Sequence, residues 1–343
     1  TAGDNIGIGY ASLGANTVNG AVAIGTNAML NATSATGATV IGNYAVSAGV
    51  MTGNNNTVIG QSSGQDLTSG NRDTLVGYRA GFEMTSGASN TALGYLTLTN
   101  ATNSHGNTAI GDSALATNID GDNNTAVGTS ALFTLEPADG NSYNTAVGKD
   151  AGKLMTTGTN NTLVGGLAGD SITTGAANTV IGVGAGNVLT TGGTNTFIGE
   201  DAGDTIVGGG DNVFIGHDCT GAQSGSNQIG IGANLNSNLG SNSTEIGTAT
   251  TTNAIVHGLR KTVVATPTNV AAPRINHIYN FSDADGATVT LPDSGAGAYI
   301  GASFEFVISV AATSNSHKIV CTDTTNEKIY GALTMVDTDT SDA

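Results

Sequence analysis

A branched aliphatic residue or Leu followed by glycine recurs along three quarters of the chain, at Gly9, Gly25, Gly42, Gly60, Gly77, Gly94, Gly111, Gly128, Gly148, Gly165, Gly182, Gly199, Gly216, Gly232 and Gly247. Most steps are seventeen residues. Those at the two ends are shorter, and one of twenty between Gly128 and Gly148 carries a loop insertion at Leu135-Glu136-Pro137-Ala138-Asp139. Self-similarity at a fixed period this short is the signature of a repeat architecture, in which each unit stacks on the next to build a continuous core.

Aligned on the glycine, the repeat reads Asn-Thr-apolar-Ile/Val-Gly-x-x-Ala, then an apolar residue four further on, then Gly in a Thr/Ser-rich turn. The Asn-Thr pair stands at Asn56-Thr57, Asn90-Thr91, Asn161-Thr162 and Asn195-Thr196, among others. The small slot holds Ala80, Ala114, Ala168 and Ala202, and the later apolar slot Leu67, Met84, Ile172 and Leu189. Seventeen residues are too few for a helix pair but suit two short strands and two turns. Each repeat is then one coil of a parallel β-solenoid. Glycines supply the positive φ of tight corners, and Asn side chains can stack as hydrogen-bonded ladders. At about 4.8 Å per stacked strand, fifteen coils make a rod of about 70 Å.

Composition agrees with a thin core. Aromatics are 4% of the 343 residues, Trp is absent and Gly reaches 52, so the 38% apolar fraction is mostly Ala, Val, Ile and Leu. Four prolines and no Gly-X-Y period exclude collagen. A net charge of −17 disfavours a phosphate backbone, so nucleic acid is not an expected partner. The chain has no apolar run of about twenty residues to insert in a membrane. The sequence opens on Thr1 with the repeat already running at Asn5-Ile6-Gly7-Ile8-Gly9, which implies further sequence upstream.

The residue before the Ile or Val is itself apolar in coil after coil: Ala23, Val40, Val58, Leu75, Ala92, Ala109, Ala126, Ala146, Leu163, Val180, Phe197 and Phe214. Neighbours in a strand point to opposite faces, so both faces of this strand need cover. With the Ile/Val side taken as the interior, Val58, Leu75, Ala92, Ala109, Ala126, Ala146, Leu163, Val180, Phe197 and Phe214 become the expected oligomer interface. Self-association of parallel copies, most simply a homotrimer, would cover it. The alternative is a monomer lying against another protein.

The run Asn-Thr-Ala-Val-Gly-x-x-Ala resembles the repeat of YadA-like head domains in trimeric autotransporter adhesins, and similar repeats in tailed-bacteriophage fibre proteins. The resemblance covers residues 5 to about 249 and implies a left-handed parallel β-roll and a trimer. The seventeen-residue coil, the lack of a heptad stalk and the lack of a membrane anchor depart from the adhesins and favour the virion.

These readings divide the chain into a solenoid at 1–249, a junction at 250–261 and a C-terminal β domain at 262–343. In the last part, six β stretches, Thr262 to Ala265, Ile275 to Phe281, Ala287 to Leu291, Ser303 to Val310, His317 to Cys321 and Lys328 to Met335, suggest a small β-sandwich or jelly-roll-like module. Leu291-Pro292-Asp293-Ser294-Gly295 and Phe304-Glu305-Phe306-Val307-Ile308 look similar to a C-terminal module of phage head-fibre and other virion proteins.

Signals for chemistry are weak. His105, His217, His257, His277 and His317 lack metal-ligand spacing. Asp201, Asp204 and Asp211 around Gly208-Gly209-Gly210 have the composition of a calcium turn without the recurring nonapeptide register. Cys219 occupies the small Ala slot of its coil, where an inert buried thiol is expected, and a disulfide to Cys321 is not. Acidic residues are scattered and Trp platforms are missing, so the paired carboxylates of a glycan hydrolase are not evident. The chain is therefore expected to be a non-catalytic fibre or capsid-decoration protein on a virion surface. It would use no cofactor and would contact other virion proteins and a host receptor or glycan. A bacterial surface adhesin and a fibre-borne depolymerase are the alternatives.

Overall fold

A computed structural model describes residues 3–14, 19–137, 140–235 and 240–247 in full, and describes Thr262–Thr266, His277–Phe281, Thr288–Leu291, Glu305–Ile308 and Lys318–Cys321 as strands by their backbone. The chain divides into two compact units, Thr1–Ala254 and Ile255–Ala343. In the first, fifteen three-residue strands, from Ile6–Ile8 to Thr244–Ile246, form one parallel sheet in chain order. Each pairs in register with the next, Thr162 on Thr179 and Thr179 on Thr196. One strand per repeat is the solenoid that the period requires.

The coil beginning at Asn161 shows how the residues divide between inside and outside. Asn161, Leu163, Ala168, Ile172 and Gly175 point inward and are buried, whereas Thr162 and Val164 face out. The expected small slot and late apolar slot are both core: Ala80, Ala114, Ala168 and Ala202, and Leu67, Met84, Ile172 and Leu189, are fully buried. The twenty-residue step is absorbed by a local bulge in which Gly121–Asp122 and Gly140–Asn141 pair in parallel.

Only one side of each coil is a regular strand, where two were expected. The other side is a run of turns that contains left-handed residues, such as Arg79 and Gly81 at φ 53° and 59° or Leu167 and Gly169 at 60° and 57°. Alternate left-handed residues cannot continue an extended chain. Their backbone groups bond to the next coil instead, for example Gly81 N–H to Thr97 O at 2.9 Å and Gly169 N–H to Ala185 O at 2.9 Å. Thr hydroxyls add a second ladder here, Thr85 to Thr102 O at 3.0 Å and Thr190 to Val207 O at 2.9 Å.

Core volume is balanced within most coils. Where the strand places Ala92, Ala109 or Ala126 inside, the residue six further on is Leu98, Leu115 or Leu132. Where it places Leu75, Leu163 or Phe197 inside, that residue is Gly81, Gly169 or Gly203. A Cβ on Gly81 would stand 3.0 Å from both Leu75 methyls, and one on Gly203 2.5 Å from the Phe197 ring. One bulky group fits per level, as close packing demands. Phe197 and Phe214 pack against each other in this core as a tilted pair, with ring centroids 5.6 Å apart.

An Asn ladder runs along the inner corner. Asn161 donates its backbone N–H and its Nδ2 to Asn144 Oδ1, at 3.0 and 3.2 Å, and its Nδ2 also to the Gly175 carbonyl at 2.9 Å. Asn178 and Asn195 repeat the pattern. A fully buried amide thereby has its donors and acceptor occupied, the condition under which polar burial stabilises a core.

In the second unit the described strands pair in parallel: Thr262–Thr266 with His277–Phe281, His277–Phe281 with Glu305–Ile308, and Thr288–Leu291 with Lys318–Cys321. A sandwich or jelly roll pairs its strands antiparallel, so the pairing departs from that expectation. The sixth expected stretch, Lys328 to Met335, lies outside the described residues, as does the junction at 250–261.

Candidate interaction face

The structure corrects the expected interface. Val58, Leu75, Ala92, Ala109, Ala126, Ala146, Leu163, Val180, Phe197 and Phe214 are all fully buried inside the single chain, as are Ala23 and Val40. They share strand parity with the Asn ladder, and both belong to the solenoid interior. No second copy can reach them.

The outward face of the same strands is built from two other columns. One is Thr in register from Thr39 to Thr196. The other is the aliphatic residue before the corner glycine, from Ile24 to Ile246. Stacked neighbours cover these side chains above and below, leaving about a third or more of Leu93 (46%), Ile181 (37%), Ile215 (36%) and Ile246 (41%) in solvent. No charged residue stands in either column, although the chain carries −17.

Length and the absence of charge separate this strip from ordinary surface. Fifteen strands at about 4.8 Å give a length of about 70 Å, and two outward columns a width of about 10 Å, hence on the order of 700 Å². About half of that footprint is the aliphatic column, within the range of the largest apolar patch of a typical monomer, about 300–600 Å², and the whole charge-free face approaches the roughly 800 Å² per partner of a specific interface. Beside the aliphatic column, Tyr78 and Tyr95 stack with centroids 5.3 Å apart, and Arg79 lies 4.6 Å from the Phe82 ring centroid. Exposed Tyr and Arg at the rim of an apolar strip are the residue types that dominate binding energy.

Groups that suggested chemistry lie apart. His105 faces Asp122 and His217 faces Asp218, each at 3.5 Å. Asp211 bonds Thr194 Oγ1, at 3.1 Å through its own N–H and at 2.6 Å through its carboxylate. Asp204 borders a shallow depression with Thr205, Asp218, Thr220 and Asn234. Burial first, and then the charges of Asp201 and Asp218, push its carboxyl up. Among the described residues no group of three or more His, Cys, Asp or Glu could hold a metal ion. Cys219 is a free, fully buried thiol, and burial pushes its pKa up. Among the described residues no helix is long and apolar enough to cross a membrane.

Parity made the two faces of the strand legible but not which one is inside. The signal that decides it was present, because the residue before the Ile or Val is small wherever the slot six later is Leu and large in most coils where that slot is Gly, Ala146 with Gly152 being an exception whose space Leu132 and Leu163 fill from the neighbouring levels. No protein-family model matches the chain, and no curated protein is detectably similar to it in sequence.

Proposed function

We propose that the chain is a non-catalytic structural rod of a tailed-bacteriophage virion, a fibre or capsid decoration, which associates as a homotrimer through its Thr and aliphatic columns. The observation that carries this reading is a charge-free, in-register apolar strip on an otherwise acidic solenoid. Water leaves such a surface at a gain of roughly 25 cal/mol per Å², and a flat parallel sheet presents the same residue at every level to a parallel copy. Three copies is the number implied by the resemblance to YadA-like and phage-fibre repeats. The role is mechanical, with stacked coils holding the C-terminal unit away from a surface for host attachment.

Two experiments bear on the assignment. Mass spectrometry of purified phage particles whose genome encodes the chain should find it as a virion component, with antibody labelling on the particle surface. Recovery only from bacterial envelopes would favour the adhesin, and release of sugar from host glycan by the purified protein would favour the depolymerase.

A further inference from the structure

Between Asn56 and Gln228 one rung of the ladder is not an amide. Asp73 sits between Asn56 and Asn90, receives its place through its N–H to Asn56 Oδ1 at 2.8 Å, and is almost wholly buried. Its Oδ1 plays the part of an Asn oxygen, accepting from Asn90 N–H at 2.9 Å and Asn90 Nδ2 at 3.1 Å. Its Oδ2 has no hydrogen-bond partner among the other side-chain and backbone donors around it.

Oδ2 occupies the place where the other rungs carry their NH2. A Cβ on Gly70 would stand 3.0 Å from Asp73 Oδ2, just as one on Gly87 would stand 3.2 Å from Asn90 Nδ2 and one on Gly158 3.1 Å from Asn161 Nδ2. In those rungs Nδ2 donates to the carbonyl fourteen residues on, Asn56 to Gly70 O and Asn90 to Ser104 O, both at 2.8 Å. For Asp73 that carbonyl is Gly87, and the other neighbour in the Nδ2 direction is the Asn56 oxygen. An ionised Oδ2 would face acceptors only. A protonated one would donate as the amide does.

We propose that Asp73 is a proton-binding rung of the ladder, held as the neutral acid with Oδ2–H donated to the Gly87 carbonyl, so that the coils at this level are joined more firmly in acid than at neutral pH. Burial pushes its pKa up to about 6, against the opposing pull of the two Asn90 hydrogen bonds and of His105 and Arg72. Those two are the charged groups acting on it; its ladder partners Asn56 and Asn90 and the corner residues Gly70 and Gly87 are neutral. His105 is itself held at 3.5 Å from Asp122.

The folded pKa of about 6 lies above the ordinary 3.8, so the folded chain binds the extra proton between these values. Stability from this rung is complete below 3.8, falls as pH rises to about 6, and is level above. A displacement of about two units corresponds to roughly a hundredfold in the folding equilibrium.

The test compares melting of the full chain with that of Asp73→Asn from pH 4 to pH 8. The variant should melt higher at pH 7, by an amount that shrinks towards pH 4, and His105→Gln should leave the wild-type slope in place. Asn161→Asp should acquire the same loss on raising pH. A difference between wild type and Asp73→Asn that does not change with pH, or a variant less stable at pH 7, overturns the proposal. Infrared spectra of the wild type at pH 5 should contain one protonated carboxyl signal that Asp73→Asn lacks. Identical spectra overturn it independently of folding.

Discussion

Aspartate at Ala126, Ala146 and Leu163 together is expected to unfold the central coils, whatever the oligomeric state. All three side chains are fully buried in the chain's own core. Leu163 also fills the level opposite two glycines: a Cβ on Gly152 would stand 2.7 Å from one of its methyls and one on Gly169 3.1 Å from the other. Each substitution buries a carboxylate among apolar groups with no partner, which costs several kcal/mol, and the sum rivals the ~5–15 kcal/mol that stabilises a typical domain. Stability in a stacked repeat is a sum of neighbouring terms, so the break is expected at the middle, with proteolysis there and loss of the cooperative melt. Full wild-type circular dichroism and an unchanged melt would mean that these residues do not line the interior.

The second large effect is expected at the corner glycines. Gly77 has φ 141°, and a Cβ there would stand 2.0 Å from the Gly94 carbonyl oxygen of the next coil. Gly77→Val adds a branched side chain where the neighbouring backbone already fills the space, and the two coils cannot part without losing the Gly94 N–H bond to Val76 O at 2.8 Å. Strain of about 1–3 kcal/mol from the backbone angle is joined by an overlap of similar size, so a loss of about 2–6 kcal/mol is expected in denaturant unfolding. Gly140 separates the two causes, because its φ is 127° yet nothing lies within 4 Å of its Cβ position. Gly140→Ala should cost only the angle, about 1–2 kcal/mol. Equal losses at the two positions would show that coil-to-coil contact is not what selects glycine.

The parallel stack was legible because its cause is periodic. The glycine spacing, the Ala slot at Ala168 and the late apolar slot at Ile172 each repeat often enough to reveal one coil per repeat. The left-handed side was legible only in part. Asn55, Asn123 and Ser89, at φ 60°, 58° and 62°, are residue types that tolerate or mark turns, but Met29, Val46 and Leu98 at 57°, 46° and 47° are not. Those large residues are held there because their side chains complete the core beside Ala23, Val40 and Ala92, a tertiary gain that local propensity does not register. The interface residues were misplaced for a related reason: alternation assigns residues to two faces without saying which encloses the core. The ladder and the Leu-or-Gly compensation both settle it, and both depend on comparing positions across a coil. Parallel pairing in the second unit had no comparable signal, since its strands lack a shared period.

Association through the outward strip is tested most directly by a light-scattering mass of the full chain, for the wild type and for Val127→Asp, Val147→Asp and Val164→Asp combined. These three residues lie in adjacent levels of the aliphatic column and face away from the core. The wild type should have three times the 33.7 kDa of one chain, and the variant 33.7 kDa with the circular dichroism of a folded solenoid. A wild type of 33.7 kDa, or a variant that keeps the wild-type mass, would contradict it.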